Sequence, residues 1–311
     1  MDYYNTSFSL TLQGFNLYPE SVIPAFLFAT LSYLVILFCN LVLILTIVLN
    51  KSLHQPMYLL LLNLPINDLI GSTALFPQVI KEILLDTKTM HFSACVAQAF
   101  FIHIYGVGAI FILTAMAYDR YIAICLPLKY TTIMTNSYIM KMITIIWLLN
   151  LIMMGLLFIL LLRLPRCRSV ITHPYCDNPS LLSLVCANTT INNIYGLFTV
   201  AASQIISNGT ILYTYLQILI ACFRSSKRSD TRAKALQTCA THLIVFLLLE
   251  CLGLFTIISY RLKNIPPHLR SLIGVSTLIF PPTLNPIIYG LKTRDIRNKL
   301  VHFFSKSIFP L

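Results

Sequence analysis

The sequence predicts an all-α membrane protein, a single bundle of seven transmembrane helices, and three observations support this. Of the 311 residues, 57% are hydrophobic and only 10% are charged, whereas an ordinary soluble domain carries roughly 25% charged residues. Seven apolar stretches are each long enough to cross a bilayer, which takes about 20 helical residues. The basic residues lie in the short breaks between these stretches.

The apolar stretches place the spans near 25–49, 57–80, 95–121, 138–162, 194–222, 236–259 and 269–290. The first stretch has no basic leader and is too long for the core of a signal peptide, so we expect a retained helix. The whole chain is then one domain, 1–311, which has a leader at 1–24, the helix bundle at 25–290 and a tail at 291–311.

The Lys and Arg residues set the orientation of the spans, because cytoplasmic loops carry an excess of them. An N-terminus on the outer side leaves 14 of the 22 on the cytoplasmic side, including every tight basic cluster. The net charge of +12 therefore indicates membrane orientation rather than binding to nucleic acid. In this orientation Asn5 and Asn188 begin glycosylation sequons on the outer side.

Four cysteines fall on the outer side, where disulfides form and persist: Cys95, Cys167, Cys176 and Cys186. Their spacing alone leaves three pairings open. Three of them belong to the longest connection, the outer loop at about 163–193. A connection of that length is more often functional than idle, and a lid over a cavity is the structure that it suggests.

Polar motifs lie within the spans or at their ends. The third span ends in MAYDRYIAIC, residues 116–125, where Asp119 can hold Arg120 until a change of state releases the guanidinium. The seventh span ends in NPIIY, in which a proline disrupts the helix beside Asn285. Asp68 lies within the second span, and a carboxylate at that depth is functional by default.

These motifs, in this order on seven spans, resemble those of the rhodopsin-like G-protein-coupled receptors over the whole chain. Further stretches narrow the resemblance to the odorant receptors: LHQPMY (53–58), TYLQIL (214–219), KALQTCATHL (234–243) and PPTLNPIIYGLKTRDIR (281–297). The PPTLNPIIYGLKT form and His103 are similar to the class I, or fish-like, branch. That branch implies small, water-soluble ligands.

The resemblance implies the partners and the disulfides of the protein. Such a receptor binds a small-molecule odorant in the plasma membrane, at sensory-neuron cilia, and activates a stimulatory heterotrimeric G protein of the olfactory type, which raises cAMP. It is not an enzyme and needs no cofactor. The implied disulfides join Cys95 to Cys176, which ties the third span to the outer loop, and Cys167 to Cys186 within that loop.

On the cytoplasmic side the resemblance implies a switch centred on Arg120, with Tyr215 and Tyr289 filling the space through which its side chain moves. The switch and coupling residues are Asp119, Arg120, Tyr121, Tyr215, Lys234, His242, Asn285, Pro286 and Tyr289. The implied polar network in the core consists of Asn40, Asp68 and Asn285. Water or a Na⁺ ion is expected near Asp68, and the basic stretch 224–234 would meet the G protein or anionic lipid.

The tail is expected to begin with a short amphipathic helix. Its apolar face carries Ile296, Leu300, Phe303 and Phe304, spaced so that they share one side. A helix of this kind lies on the membrane surface.

The resemblance also implies a ligand pocket between the outer halves of the spans, formed by His103, Gly106, Val107, Glu250, Leu254, Ile257 and Arg261. Glu250 lies in the apolar run FLLLECLGLF at the place where relatives usually carry Tyr. Helix geometry puts His103 at a similar depth, so a contact between His103 and Glu250 is expected. Arg261 is eleven residues further on, roughly 16 Å nearer the outside, so it cannot pair with Glu250 directly.

The ligand class stays open at this point. The class I resemblance favours a small acid held near Arg261, and the alternative is an amine whose cation meets Glu250. Each residue also has a purely structural interpretation. Glu250 can be a protonated donor to a neighbouring helix, His103 a satisfied core histidine, and Arg261 a side chain that extends to the headgroups. Ala109, where many relatives are acidic, is a further departure.

The alternative function is a membrane transporter or channel for small solutes. That class predicts an internal repeat, paired broken helices or several charges within the membrane, whereas the spans carry Asp68 and Glu250 and no repeat. A light receptor needs a lysine in the seventh span for its retinal, and 269–290 contains none. A receptor for small molecules is the function that the sequence predicts.

Overall fold

The computed structural model describes residues 9–14, 18–224, 229–260, 262 and 265–308. Its long helices are α1 Pro19–Leu49, α2 Pro56–Leu85, α3 Phe92–Cys125, α4 Asn136–Leu162, α5 Thr190–Arg224, α6 Ser229–Ser259, α7 Pro267–Lys292 and α8 Arg294–Ile308. Short helical turns lie at Lys51–Leu53, Pro127–Lys129, Tyr130–Ile133 and Asn178–Leu182. The strands are β1 Ser9–Leu12, β2 Thr89–His91 and β3 Val170–Ile171.

Seven of these helices, α1 to α7, are long and apolar enough to cross a membrane in the part of the chain that the structure describes. The predicted seven-helix bundle is therefore confirmed. The helices extend a few residues past the predicted spans. An apolar run ends at the first polar residues, whereas helical hydrogen bonding continues through them. Helix α1, for example, begins at Pro19, and proline at the first helical position lacks only an N–H that would be unpaired there.

Helix α3 lies at the centre of the bundle, and α1 and α4 lie at its edge. The most apolar part of α3 is 61% buried, against 28% for α1 and for α4. Large apolar side chains of α1, such as Leu31 and Phe38, are more than half exposed. In a bilayer these side chains face lipid, which costs nothing because lipid tails are as apolar as the side chains.

Close approach of α2, α3 and α4 depends on Gly108 of α3. A Cβ added there would collide with the Asn67 side chain and lie 3.0 Å from Nδ2 of Asn150. Both amides donate to carbonyls of α3, Asn67 to Tyr105 at 2.9 Å and Asn150 to Ile104 at 2.8 Å. Small residues commonly permit such approach between membrane helices. Here the space left by one glycine lets two neighbouring helices hydrogen-bond to the central one.

A small sheet on the outer side was not predicted. Strand β1 of the leader lies in the middle, antiparallel to β2 and parallel to β3. Leu10 and Leu12 point inward from β1 and are 1% exposed, so the leader packs on the bundle. Strands of two to four residues are too short for an alternating pattern to be recognised in the sequence.

Two disulfides shape the outer connection between α4 and α5, residues 163–189, which we call the lid. The structure joins Cys95 at the start of α3 to Cys176 in the lid, and Cys167 to Cys186 within the lid. These are the pairings that the family resemblance implied.

The chain turns along the bundle after α7. The hydroxyl of Tyr58 on α2 donates to the carboxylate of Asp295 at 2.8 Å and holds the start of α8. Ile296 is fully buried, and Leu300 is partly buried against the same cluster. The side chains of Phe303 and Phe304, predicted for the same apolar face, lie outside the described residues.

We predict that Gly108→Ala lowers the stability of the bundle by roughly 1–3 kcal/mol, because the added methyl group overfills a packed contact. The thermal midpoint of the detergent-solubilised protein measures the change. Gly155→Ala in α4 is the matched control, since a Cβ there meets nothing within 4 Å. The control should leave the midpoint unchanged or raise it, because alanine favours a helix more than glycine. Equal effects of the two changes would contradict the packing role of Gly108.

Candidate functional site

A cavity of about 480 Å³ lies between the outer halves of the helices and beneath the lid. Its walls come from α3, α4, α5, α6 and α7. Part of its cover comes from the lid residues Tyr175, Asp177, Asn178, Pro179 and Leu182. Six of the residues predicted to bind a ligand line it: His103, Gly106, Val107, Glu250, Leu254 and Ile257. Arg261, the seventh, lies outside the described residues.

The lid is held to the bundle by polar contacts. The backbone N–H of Cys176 donates to Oε1 of Gln98 at 2.7 Å. The carboxylate of Asp177 accepts from the backbone N–H of Ser180 at 2.8 Å and from the hydroxyl of Tyr260, at the end of α6. Since Asp177 also lines the cavity, the lid and α6 share a contact at its outer edge.

A histidine of the lid completes this outer cluster. The His173 ring lies edge-on to Tyr260, with 5.3 Å between the ring centroids, and its Nδ1 lies 3.4 Å from Oγ of Ser271 on α7. Burial lowers the pKa of the His173 imidazole. A neutral ring in this position packs between the lid and α7 without an added charge.

Glu250 lies on the cavity wall contributed by α6. Its side chain is 4% exposed, and neither carboxylate oxygen has a hydrogen-bond partner among the described residues. Gln204 of α5 interacts with it without a hydrogen bond of good geometry. A buried carboxyl group without donors is costly to keep. Because Glu250 lies in the cavity wall, a ligand in the cavity could supply the missing hydrogen-bond donors.

The expected contact between His103 and Glu250 is wrong as a hydrogen bond. Nδ1 of His103 lies 2.8 Å from the carbonyl oxygen of Ala99, one turn back on α3. The ring also lies edge-on to Phe158 of α4, 5.7 Å between centroids. These contacts fix the imidazole by its own helix and by α4. His103 and Glu250 therefore both line the cavity without joining each other.

The cavity also has polar residues that were not predicted from the sequence. Asn192 near the start of α5 is 1% exposed, and both polar atoms of its side chain lack a partner among the described residues. Asp177, Gln204 and Tyr260 also line the cavity. Two features of the sequence indicate such residues. One is the polar pair Asn192-Asn193 at the start of an apolar span, and the other is Asp177, the acid that directly follows Cys176.

The predicted switch residues lie near the cytoplasmic ends of the helices. Arg120 pairs with the buried carboxylate of Asp119 at 3.1 Å, and Tyr130 donates to that carboxylate at 2.9 Å. The ring of Tyr121 meets Tyr213 of α5, 5.7 Å between centroids. The side chain of Lys234 lies outside the described residues.

Two tyrosines connect α6 to its neighbours. The hydroxyl of Tyr215 on α5 donates to the backbone carbonyl of Cys239 at 2.9 Å. The hydroxyl of Tyr289 on α7 hydrogen-bonds Nδ1 of His242 at 3.0 Å. Each tyrosine therefore binds α6 in this conformation, at a level close to Arg120.

Asp68 and Asn285 meet in the core of the bundle. Nδ2 of Asn285 on α7 donates to the Asp68 carboxylate on α2 at 3.0 Å and 3.3 Å. No group of three His, Cys, Asp or Glu side chains that could hold a metal occurs in the described ranges. The Na⁺ ion near Asp68 stays a prediction.

Prolines inside α7 leave backbone carbonyls free, and side chains from other helices bind two of them. Pro286 has no N–H to donate to the carbonyl of Pro282, four residues earlier, and Nδ2 of Asn40 donates to that carbonyl at 2.9 Å. Pro281 likewise leaves the carbonyl of Thr277, which accepts from the Tyr105 hydroxyl at 3.0 Å. Asn40 thus holds α7 to α1 rather than bonding Asp68.

The two glycosylation predictions fall at different places. Asn188 is exposed at the end of the lid, where its side chain accepts from the backbone N–H of Thr190 at 2.8 Å. Asn5 lies outside the described residues. Glycosylation at both stays a prediction.

Known proteins share this arrangement. A family model described as "Olfactory receptor" matches residues 29–307. Olfactory receptor 52B2 and Olfactory receptor 52N5 of Homo sapiens are each 37% identical over 276 residues, which is 88% of this chain and 85% of each relative. The crystal structure of squid rhodopsin matches with a TM-score of 0.75 at 16% identity, over 94% of this chain and 88% of that one. At that identity the likeness concerns the fold alone.

We predict that Tyr105→Phe destabilises the bundle by roughly 1–3 kcal/mol, since the Thr277 carbonyl then has no donor in a dry site. The thermal midpoint of the solubilised protein, with its surface level in cells, measures this. Tyr33→Phe is the matched control, because the Tyr33 hydroxyl reaches Thr73 at an exposed position, where substitutions usually change stability by less than about 0.5 kcal/mol. A midpoint unchanged by Tyr105→Phe would show that the carbonyl finds another donor.

Proposed function

The chain belongs to the olfactory receptor family, and on that premise we propose that it is an odorant receptor. It would bind a small, water-soluble ligand and, through its G protein, raise the concentration of cAMP. Proteins of this family are G-protein-coupled receptors and not enzymes, and this one is a multi-pass protein of the plasma membrane. The ligand would bind in the cavity beneath the lid. The partner would be a stimulatory heterotrimeric G protein of the olfactory type, at the cilia of sensory neurons.

The observation that carries the proposal is the cavity itself. Its volume of about 480 Å³ lies within the ordinary range for small-molecule sites, roughly 300–1,000 Å³. Apolar side chains form most of its wall, and a few polar groups such as His103, Asn192 and Glu250 face it. Such a combination selects a small amphipathic molecule by shape and by a few directed contacts.

Helix α6 connects the cavity to the cytoplasmic side. Glu250 is on the cavity wall, and His242 lies eight residues earlier on the same helix, about 12 Å away along its axis. A ligand that moves the outer half of α6 would strain the contacts of His242 with Tyr289 and of Cys239 with Tyr215. Loss of these contacts would separate the cytoplasmic end of α6 from α5 and α7.

Arg120 would act once that end of α6 has moved. In the present conformation its guanidinium pairs with Asp119, and its side chain is only 19% exposed. Opening of the cytoplasmic end would expose the guanidinium to the G protein. A ligand drives this change only to the extent that it binds the open state more tightly than the closed one.

A transporter or channel is the less favoured function. Its usual signs are paired broken helices around a site at the middle of the membrane. The carbonyls of Thr277 and Pro282 in α7, which Pro281 and Pro286 leave without a backbone donor, are instead bound by Tyr105 and Asn40. Helix α7 stays helical throughout.

We predict that Arg120→Ala abolishes odorant-induced cAMP while the receptor remains at the cell surface. The measurement uses cells supplied with an olfactory-type G protein and a broad odorant panel. Lys141→Ala removes another cytoplasmic cation, which is exposed on α4, and serves as the matched control. Its response should stay within about twofold of the parent, as expected for an exposed charge. A full response from Arg120→Ala would contradict the proposed switch, and ion flux without cAMP would favour a channel.

A further inference from the structure

We propose that the ligand of the cavity is a protonated aliphatic amine, whose ammonium group binds the carboxylate of Glu250. The inference rests on the proposed odorant site beneath the lid and names the chemical class of its ligand. It is argued from the polar atoms that face the cavity.

Glu250 supplies the anionic partner. Its side chain is more than nine-tenths buried, and both oxygens lack a hydrogen-bond donor in the part of the chain that the structure describes. Oε1 of the nearby Gln204 accepts a hydrogen bond from Asn208, and the Gln204 amide interacts with Glu250 without a hydrogen bond of good geometry. A buried carboxylate is stable only with a counter-charge and donors. An ammonium group brings one positive charge and up to three N–H donors.

His103 faces the cavity as an acceptor in its neutral form. A carbonyl oxygen can only accept, so the Nδ1 that contacts the Ala99 carbonyl must carry the proton. In a neutral imidazole the other nitrogen, Nε2, then has a free lone pair. The histidine therefore offers a second acceptor to a ligand with N–H groups.

Asp177 gives the outer part of the cavity the same sign. Its carboxylate accepts from Ser180 and from Tyr260, and it has lone pairs left for further donors. No Lys or Arg occurs among the described residues that line the cavity. The guanidinium of Arg270 lies 5.0 Å from the centroid of the Tyr260 ring, outside the cavity lining. Beside Glu250 a ligand carboxylate would therefore meet a like charge and the neutral acceptor of His103, whereas an ammonium group would be attracted by both.

Two glycines leave room beside Glu250. Gly253 lies three residues further along α6, on the same face as Glu250, and Gly106 lies on the facing part of α3. Both line the cavity, and a Cβ added at either would meet nothing within 4 Å. The ammonium group can therefore approach the carboxylate, and the alkyl chain can lie against apolar neighbours such as Val107 and Leu254.

The competing ligand is a small acid bound near Arg261. Arg261 lies outside the described residues, eleven positions beyond Glu250 in the sequence. On an ideal helix that separation is roughly 16 Å, which is too far for a direct ion pair. An acid near the mouth of the cavity would leave the Glu250 carboxyl group without a partner. The two ligand classes thus predict different sensitive residues.

The test compares straight-chain and branched primary amines with carboxylic acids and alcohols of the same carbon skeletons. Cells with an olfactory-type G protein report cAMP, and an epitope at the N-terminus reports the surface level. We expect the parent to respond to amines at concentrations where the matched acids and alcohols are silent. Glu250→Gln should raise the EC50 for amines at least about thirtyfold, as expected when one member of a buried charge pair is removed.

Control variants separate the charge from the shape of the site. Glu20→Gln makes the same chemical change at an exposed carboxylate at the start of α1, outside the cavity lining, so the EC50 should change less than about threefold. Gly253→Leu keeps the carboxylate and fills the space beside it, and should also weaken the response to amines. If Glu250→Gln fails to reach the surface, Glu250→Asp and Gly253→Leu provide the test.

Three results would overturn the inference. The first is an amine response that Glu250→Gln leaves unchanged at normal surface level, and the second is a preference for acids that Arg261→Ala removes.

If no compound of any class raises cAMP, thermal stabilisation of the purified receptor is measured with the same compounds. Stabilisation by amines that Glu250→Gln abolishes would uphold the ligand class and refute the proposed coupling. A lack of stabilisation by amines is the third overturning result.

Discussion

The bundle depends on one constraint of the bilayer, which is that every backbone polar group must find its partner within the protein. Helix α7 cannot meet this requirement by itself, because Pro281 and Pro286 lack the N–H groups that would bind the carbonyls one turn earlier. Asn40 of α1 and Tyr105 of α3 bind two of these carbonyls. The prolines thereby convert backbone atoms of α7 into docking points for two other helices.

The position of α7 then determines the polar contacts along it. With the helix held to α1 and α3, Asn285 faces the carboxylate of Asp68 at 3.0 Å. One turn further on, Tyr289 reaches His242 of α6. The contact between Tyr289 and His242 therefore depends on Asn40 and Tyr105, which bind the carbonyls that the prolines of α7 leave without a donor. Changes at Tyr105 would act on coupling as well as on stability, because both pass through the placement of α7.

The buried carboxylates of the membrane helices differ in how they are satisfied. Asp68 accepts from Asn285, and Asp119 pairs with Arg120. Each of these pairs joins or fixes helices, and neither leaves the carboxylate open to a ligand. Glu250 has no hydrogen-bond partner among the described residues, and it faces a cavity. Of these three carboxylates, Glu250 is therefore the one that lines a cavity without a hydrogen-bond partner in the described part of the chain.

The sequence predicted the fold because the information for it is local and repeated. Apolar length identifies each span, and the distribution of Lys and Arg orients them. The depth of His103 and Glu250 also followed from helix rise. A hydrogen bond between them did not follow, because depth says nothing about rotation, and Nδ1 of His103 is directed to the Ala99 carbonyl instead. The contribution of Asp177 depends on how the lid folds over the helices, which no local pattern contains.

Family membership and the proposed ligand class are consequently argued from different residues. The motifs that this chain shares with olfactory receptors lie mostly toward the cytoplasmic side, where the proposed switch and its partner would impose a common geometry. The cavity wall is free of that requirement and can change its charge while the fold stays the same. Glu250 is such a change, since its neighbours on α6 keep the apolar character of the span. A resemblance over the whole chain therefore predicts the kind of receptor, and the unpartnered atoms of the cavity predict the chemistry of what it binds.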